Sequence, residues 1–209
     1  MNTIIRNIFR PLLVALPAFA LSFSANAADV YNVDEFEFAG IRTGMTPDEA
    51  LEKVAEFYSL NPDDFETLNF IGKVPYFDYE DPLSDIDYSG DEGWIQLSLH
   101  PELLPGEETA YMVVEEIQIS MQLGIDRADR PQARAALIEE FSKKYGPPTL
   151  TIINQETPSK SEYHWCETEP TKEYGCNRKE SYAKFWFRGF ELSNAKIRKA
   201  FSEEQDARN

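Results

Sequence analysis

The alternation of apolar and polar residues divides the chain into two helical stretches set among strands. The clearest is Gly40 to Phe57, GIRTGMTPDEALEKVAEF. Thr46 is placed to cap a helix, Pro47 supplies a preset φ at its first position, and Glu49 stands where a capping box requires it. Asp48 and Glu49 bring negative charge to the positive end of the helix dipole. Leu51, Val54, Ala55 and Tyr58 recur at i, i+3, i+4 and i+7, which marks one buried face, and Asn61-Pro62 ends the run. A second helix is expected from about Pro131 to Lys144, with Ala133, Leu137, Phe141 and Tyr145 inward. Lys143 and Lys144 suit its negative end, and Gly146-Pro147-Pro148 stops it.

Strands fill the intervals. Phe36, Phe38 and Ile41 suggest a short entering strand, and Thr67 to Phe77 a longer apolar one. Asp78 to Gly93 reads as a polar, acidic loop. Trp94, Ile95, Leu97 and Leu99 make a strand closed by His100-Pro101, and Pro105-Gly106 marks a turn. In Tyr111 to Leu123 the residues Tyr111, Val113, Ile117, Ile119, Met121 and Leu123 share one face, while Glu116, Gln118, Ser120 and Gln122 share the other. That is the pattern of a half-buried antiparallel strand with one wet side. Leu150 to Ile153, Tyr163 to Cys166 and Tyr182 to Phe190 follow as strands, and the charged tail 193–209 is expected to begin helical and then fray. The expected architecture is α+β, with two helices packed on one face of an antiparallel sheet.

The second helix echoes the first. Gly40/Gly124, Ile41/Ile125, Pro47/Pro131, Glu56/Glu140 and Phe57/Phe141 pair at one offset, and Val54/Ile138 is a conservative match. Two tandem repeats, about 34–123 and 124–192, would account for this, and so would two unrelated helices that both start with proline. The run Gly40-Ile41, Gly44-Met45-Thr46 and Glu49-Ala50 resembles the small periplasmic helix-plus-sheet repeats of the SmpA/OmlA outer-membrane assembly lipoproteins. The paired arrangement, with Lys144-Tyr145-Gly146-Pro147 before a strand, is similar to the beta-lactamase inhibitory proteins. The resemblance implies a helix-plus-sheet fold and a protein-binding habit, and no functional residue is carried over from it. The chain departs from the lipoproteins in lacking a lipid-anchoring cysteine.

Residues 1–27 stand apart. Arg6 and Arg10 make a positive start, Leu12 to Phe23 an apolar run, and Ala25-Asn26-Ala27 a small-residue cleavage site, with cutting expected between Ala27 and Ala28. The apolar run is short for a membrane span. The expectation is a signal peptide, a domain over residues 28–192, and export to the periplasm with no membrane anchor after cleavage. The chain carries a formal net charge of −17, and losing Arg6 and Arg10 makes the remainder more negative. Such a chain is repelled by nucleic acid and by anionic lipid.

Candidate chemistry is sparse. Cys166 and Cys176 are the only cysteines, and in an exported chain a disulfide is expected. The alternative uses His164, on the same strand face as Cys166, as base for a thiolate nucleophile. There is no Gly-x-Ser-x-Gly, His-Glu-x-x-His, Walker or Gly-x-Gly-x-x-Gly motif, so no catalytic residue is assigned and a non-enzyme is expected. Asp85, Asp87, Ser89 and Asp91, with Gly90, match the opening of a calcium loop, although its twelfth position is Gln96 in place of a bidentate Glu. No other cofactor is implied. Aromatic residues flank the acidic stretch and crowd the C-terminal part, where alternation sends Phe185 and Phe187 inward and Trp186 outward. An exposed aromatic sheet face suits a protein partner or a stacked glycan. The expected function is a non-catalytic periplasmic binding or assembly module acting through protein–protein contacts; the alternative is a small-ligand or calcium-binding protein.

Overall fold

The computed structural model describes residues 31–69, 78–80, 83–90, 93–103, 109–120, 128–157, 160–171, 175–186 and 189–208. The expected signal peptide with its cleavage site at Ala27 and Ala28 lies outside them. So do Ile71, Val74, Phe77, Asp91, Met121, Leu123, Gly124 and Phe187.

Helix α1 (Pro47–Tyr58) begins as the pattern requires. The Thr46 hydroxyl accepts from Glu49 N, and the Glu49 carboxylate accepts from Thr46 N at 3.1 Å, completing the capping box. Ala50, Val54 and Ala55 are buried, and Leu51 and Tyr58 pack against the same core. The entering strand is absent in that form. In its place a single turn of 3₁₀ helix (Val33–Glu35) leads to a two-residue hairpin in which Phe38 and Ile41 exchange both backbone bonds. Its turn residues Ala39 and Gly40 have φ of 56° and 78°, the geometry of a tight hairpin in which glycine is at ease. The chain then lies against a strand edge, with Gly44 N donating to Val114 O and Val114 N to Met45 O.

Five strands follow: β1 (Glu66–Asn69), β2 (Asp78–Glu80), β3 (Leu83–Gly90), β4 (Gly93–Glu102) and β5 (Thr109–Ser120). Helix α2 (Arg130–Tyr145) comes next, and then β6 (Leu150–Ile152), β7 (Glu162–Cys166), β8 (Tyr182–Trp186), β9 (Gly189–Ser193) and α3 (Ala195–Arg208). The sheet runs β1-β3-β4-β5-β9-β8-β7-β6, antiparallel throughout, with β2 added in parallel to β5. This is an α+β fold. Its path is symmetric: each half is a helix followed by a four-strand antiparallel run, and the last strands of the halves, β5 and β9, pair with one another.

Two rows of side chains fill the face under the helices. Ile86, Leu97, Ile117, Leu192, Ala183 and Trp165 are successive partners across six strands, and Tyr88, Ile95, Ile119, Phe190, Phe185 and Tyr163 form the neighbouring row. Phe141 of α2 sets its ring edge-on to Trp165, Phe185 and Phe190, while Phe38 stacks on Phe190 at 4.1 Å. Tyr145 closes the end of α2 against Phe36.

Four expectations are corrected by non-local pairing. The acidic stretch 78–93 is mainly strand, because β3 inserts Ile86 into the core between β1 and β4. His100-Pro101 does not close its strand; β4 continues to Glu102, with Pro101 opposite Met112. The single face drawn along Tyr111–Leu123 is broken by a bulge. Ser98 pairs with Glu116 but Leu99 with Val114, so Glu115 is the extra residue. The bulge exchanges the faces: Met112 and Val114 join Ile117 and Ile119 in the core, and Tyr111 is exposed. The tail does not fray early. Ile197 and Phe201, four apart, bury one side of α3, and Phe201 meets Leu103, Ala110 and the edge of His100.

Val54 and Ala55 of α1 and Phe141 of α2 enter one core cluster, and the expected pair of helices is only part of the arrangement, because a third helix is added. The alternation of β4 places His100 with Gln96 and Ser98, so α3 closes one end of the opposite face. Buried Asn194 holds that helix start, its Oδ1 accepting from Lys196 N and its amide donating to Thr43 Oγ1 at 3.1 Å.

Ile117 sits fully buried at the centre of the inner row. Ile117→Ala is expected to cost about 2–5 kcal/mol in denaturant melts, whereas Leu68→Ala on the exposed edge strand β1 should change stability by no more than about 0.5 kcal/mol.

Candidate binding surface

The outer face of the sheet is polar for most of its width. Asp87, Gln96, Gln118, Glu191, Lys184 and His164 are successive partners across β3, β4, β5, β9, β8 and β7. Beside them run Asp85, Ser98, Glu116, Ser193, Tyr182 and Cys166. Many of these groups satisfy each other. Ser98 Oγ donates to Asp85 Oδ1 at 2.9 Å, Gln118 donates to Glu116, and the Tyr182 hydroxyl donates to Glu191. Acids outnumber bases here, and the carboxyls respond. Burial, then the Asp85 charge, pushes Asp87 up, and burial also raises Glu116. Glu115, displaced by the bulge, is buried against Arg198 with Nε 2.9 Å from Oε1.

Two indoles interrupt this surface. Trp94 follows Gly93 on β4 and Trp186 ends β8; two strands, β5 and β9, lie between them, yet their ring centroids are 6.4 Å apart. Between them in the sheet lie Ser120 and Gly189, paired on β5 and β9, and the Trp186 ring lies against Gly189. Ser120, a polar residue with outer-face parity, is 3% exposed. Glycine is needed opposite it. A Cβ at Gly189 would stand 2.4 Å from Ile119 O and 3.2 Å from the Trp186 ring. Lys184 Nζ lies 5.8 Å from the Trp186 centroid, and Arg134 Nε of α2 donates to the Trp186 carbonyl at 3.3 Å. The result is a half-buried aromatic arch set in a hydrogen-bonding field.

At the far side of the face stands the disulfide Cys166–Cys176, with Cα atoms 5.3 Å apart. His164 is buried beneath it. Nε2 lies 3.1 Å from Glu162 Oε2, and Nδ1 lies 3.9 Å from Cys176 Sγ. Burial, helped by the Lys184 charge, pushes His164 below the ordinary histidine range, against the pull of Glu162. His164 and Cys166 share a face of β7, as the sequence suggested, but the sulfur beside the ring is Cys176 Sγ, and each cysteine sulfur is bonded to the other, so neither is a free thiol in this structure.

The calcium residues are placed differently from a loop. Asp85, Asp87 and Ser89 follow one another along the extended strand β3, so Asp85 and Ser89 are about 13 Å apart along the backbone. Asp85, Asp87 and Ser89 thus do not follow the turns by which a calcium loop gathers its ligands, and Asp91 lies outside the described residues. Among the described residues no group of three or more His, Cys, Asp or Glu is arranged to hold an ion, and no helix is long and apolar enough to cross a membrane.

Trp186 was legible as outward-facing from strand alternation, and Phe185 as core. Trp94 was read only as part of a strand. Nothing local joins it to Trp186, because their contact arises from strand order. No family model, curated protein or solved structure matches this chain.

Two outcomes follow. Because Asp87 is raised above its unfolded value of about 3.9, its contribution to stability is present below that pH and is lost as pH rises through the folded value. Asp87→Asn should therefore raise Tm at pH 7, by a margin that shrinks below about pH 4. Reducing Cys166–Cys176, which closes a separation of 10 residues, should lower stability by about 2.5–3 kcal/mol in the chain-entropy account, read from denaturant midpoints with and without reductant.

Proposed function

We propose that this protein is an exported, non-catalytic binding or assembly module of the periplasm, and that its partner is another protein. The observation that carries the reading is the Trp94–Trp186 arch on the outer sheet face. Paired indoles within a hydrogen-bonding surround are the composition of a protein-binding hot spot, with rings supplying contact area and the polar rim supplying register. The excess of Asp85, Asp87, Glu116, Glu162 and Glu191 over Lys184 calls for a partner that presents Arg or Lys around an apolar centre.

The helix-plus-sheet halves are in keeping with the resemblance to SmpA/OmlA-type repeats and beta-lactamase inhibitory proteins, and with a duplication. The disulfide is compatible with an oxidising compartment. The signal-peptide pattern in residues 1–27 supplies the route of export.

The test is crosslinking in the native cell envelope, comparing the wild type with Trp186→Ala and Gly189→Ala. One protein captured by the wild type, lost with both variants and weakened by salt, is the expected result. Recovery of the protein alone, with a melting midpoint that rises in millimolar calcium and falls in EDTA, would overturn it in favour of the ligand-binding alternative.

A further inference from the structure

The two edges of the sheet are unlike each other. Strand β1 carries Glu66 and follows Asp63 and Asp64, so charge guards it in the usual way. Strand β6 has no such guard. From Gly146 to Gln155 the chain reads GPPTLTIINQ, ten residues without a charge in a protein of net −17. Ile152 is 36% exposed and Ile153 60%.

The chain leading into the strand is anchored at several points. Trp165 Nε1 donates to Gly146 O at 2.8 Å, the Tyr31 hydroxyl donates to Pro147 O, and Thr149 Oγ1 both donates to His164 O and accepts from Cys166 N. β6 ends the sheet, paired with β7 alone among the described strands, so its outer edge offers backbone groups to an added strand from a segment whose start is already fixed.

We infer that β6 pairs antiparallel with β6 of a second copy of this chain, extending the sheet across a two-fold axis. Charge selects that occupant. Two copies of so acidic a protein repel over most of their surfaces, and this edge lets them approach with no acid facing acid. A two-fold placed at Thr151 sets Leu150 of one copy opposite Ile152 of the other, and Thr149 opposite Ile153. Both exposed isoleucines are then covered, and the seam is self-complementary as a two-fold interface requires.

The test is sedimentation velocity over a concentration series on the protein as its own cell produces it, purified without reductant. The expected result is a monomer–dimer equilibrium that strengthens with added salt, because screening relieves the net repulsion. Ile152→Lys should weaken it about tenfold or more by bringing two added charges together, and Trp186→Ala should leave it unchanged. A photo-crosslinking residue at Thr151, in an otherwise unaltered chain, should give a dimer, and one at Leu68 should not. A monomer at every concentration and salt, a dimer indifferent to Ile152→Lys, or capture at Thr151 of a different protein only would each overturn the inference. Loss of the dimer with partner capture intact, or the reverse, separates this seam from the aromatic face.

Discussion

The pairing of β5 with β9 joins two four-strand runs into one sheet, and the core depends on that seam. It brings Ile117 beside Leu192 and Ile119 beside Phe190, so that side chains from both halves of the chain form unbroken rows. Helix α2 packs Phe141 on Phe185, Phe190 and Trp165, while α1 contributes Val54 and Ala55 to the same cluster. Burial is shared across the seam, which is why the two helix-plus-sheet halves form one hydrophobic core.

The seam also sets the outer surface. Placing β9 beside β5 puts Gly189 next to Ser120, and Trp94 and Trp186 approach each other from the strands on either side of this pair. A side chain at Gly189 would collide with Ile119 O and lift Trp186. The arch is thus a consequence of strand order combined with one missing Cβ. Around it burial, and then neighbouring carboxylates, raise the proton affinity of Asp87 and Glu116, and Tyr182 and Gln118 satisfy their acidic neighbours. The surface is polar, internally bonded and acidic, with an apolar centre.

Local features were well legible. The Thr46–Glu49 capping box, the stop at Gly146, the inward Phe141 and the Cys166–Cys176 bond all rest on residues near one another in sequence or on cysteine count alone. The errors came where distant segments compete for a stretch. Asp78 to Gly93 looks like turn chemistry by composition, yet Ile86 buried against Leu97 holds β3 extended. Ile197 and Phe201 were hidden in a charged tail because two apolar residues give little periodic signal until β4 and β5 supply a surface for them.

The sequence by itself determined where α1 and α2 begin and end, that strands alternate with them, and that the chain is strongly acidic. Those properties follow from hydrogen bonding within a turn, from period and from net charge. Tertiary structure decided which residues share a face beyond Glu115, where one extra residue reverses the parity of β5. It decided that Trp94 meets Trp186, and that the uncharged segment 146–155 becomes an edge. These are matters of register and strand order, and their energy lies in contacts between residues far apart in the chain.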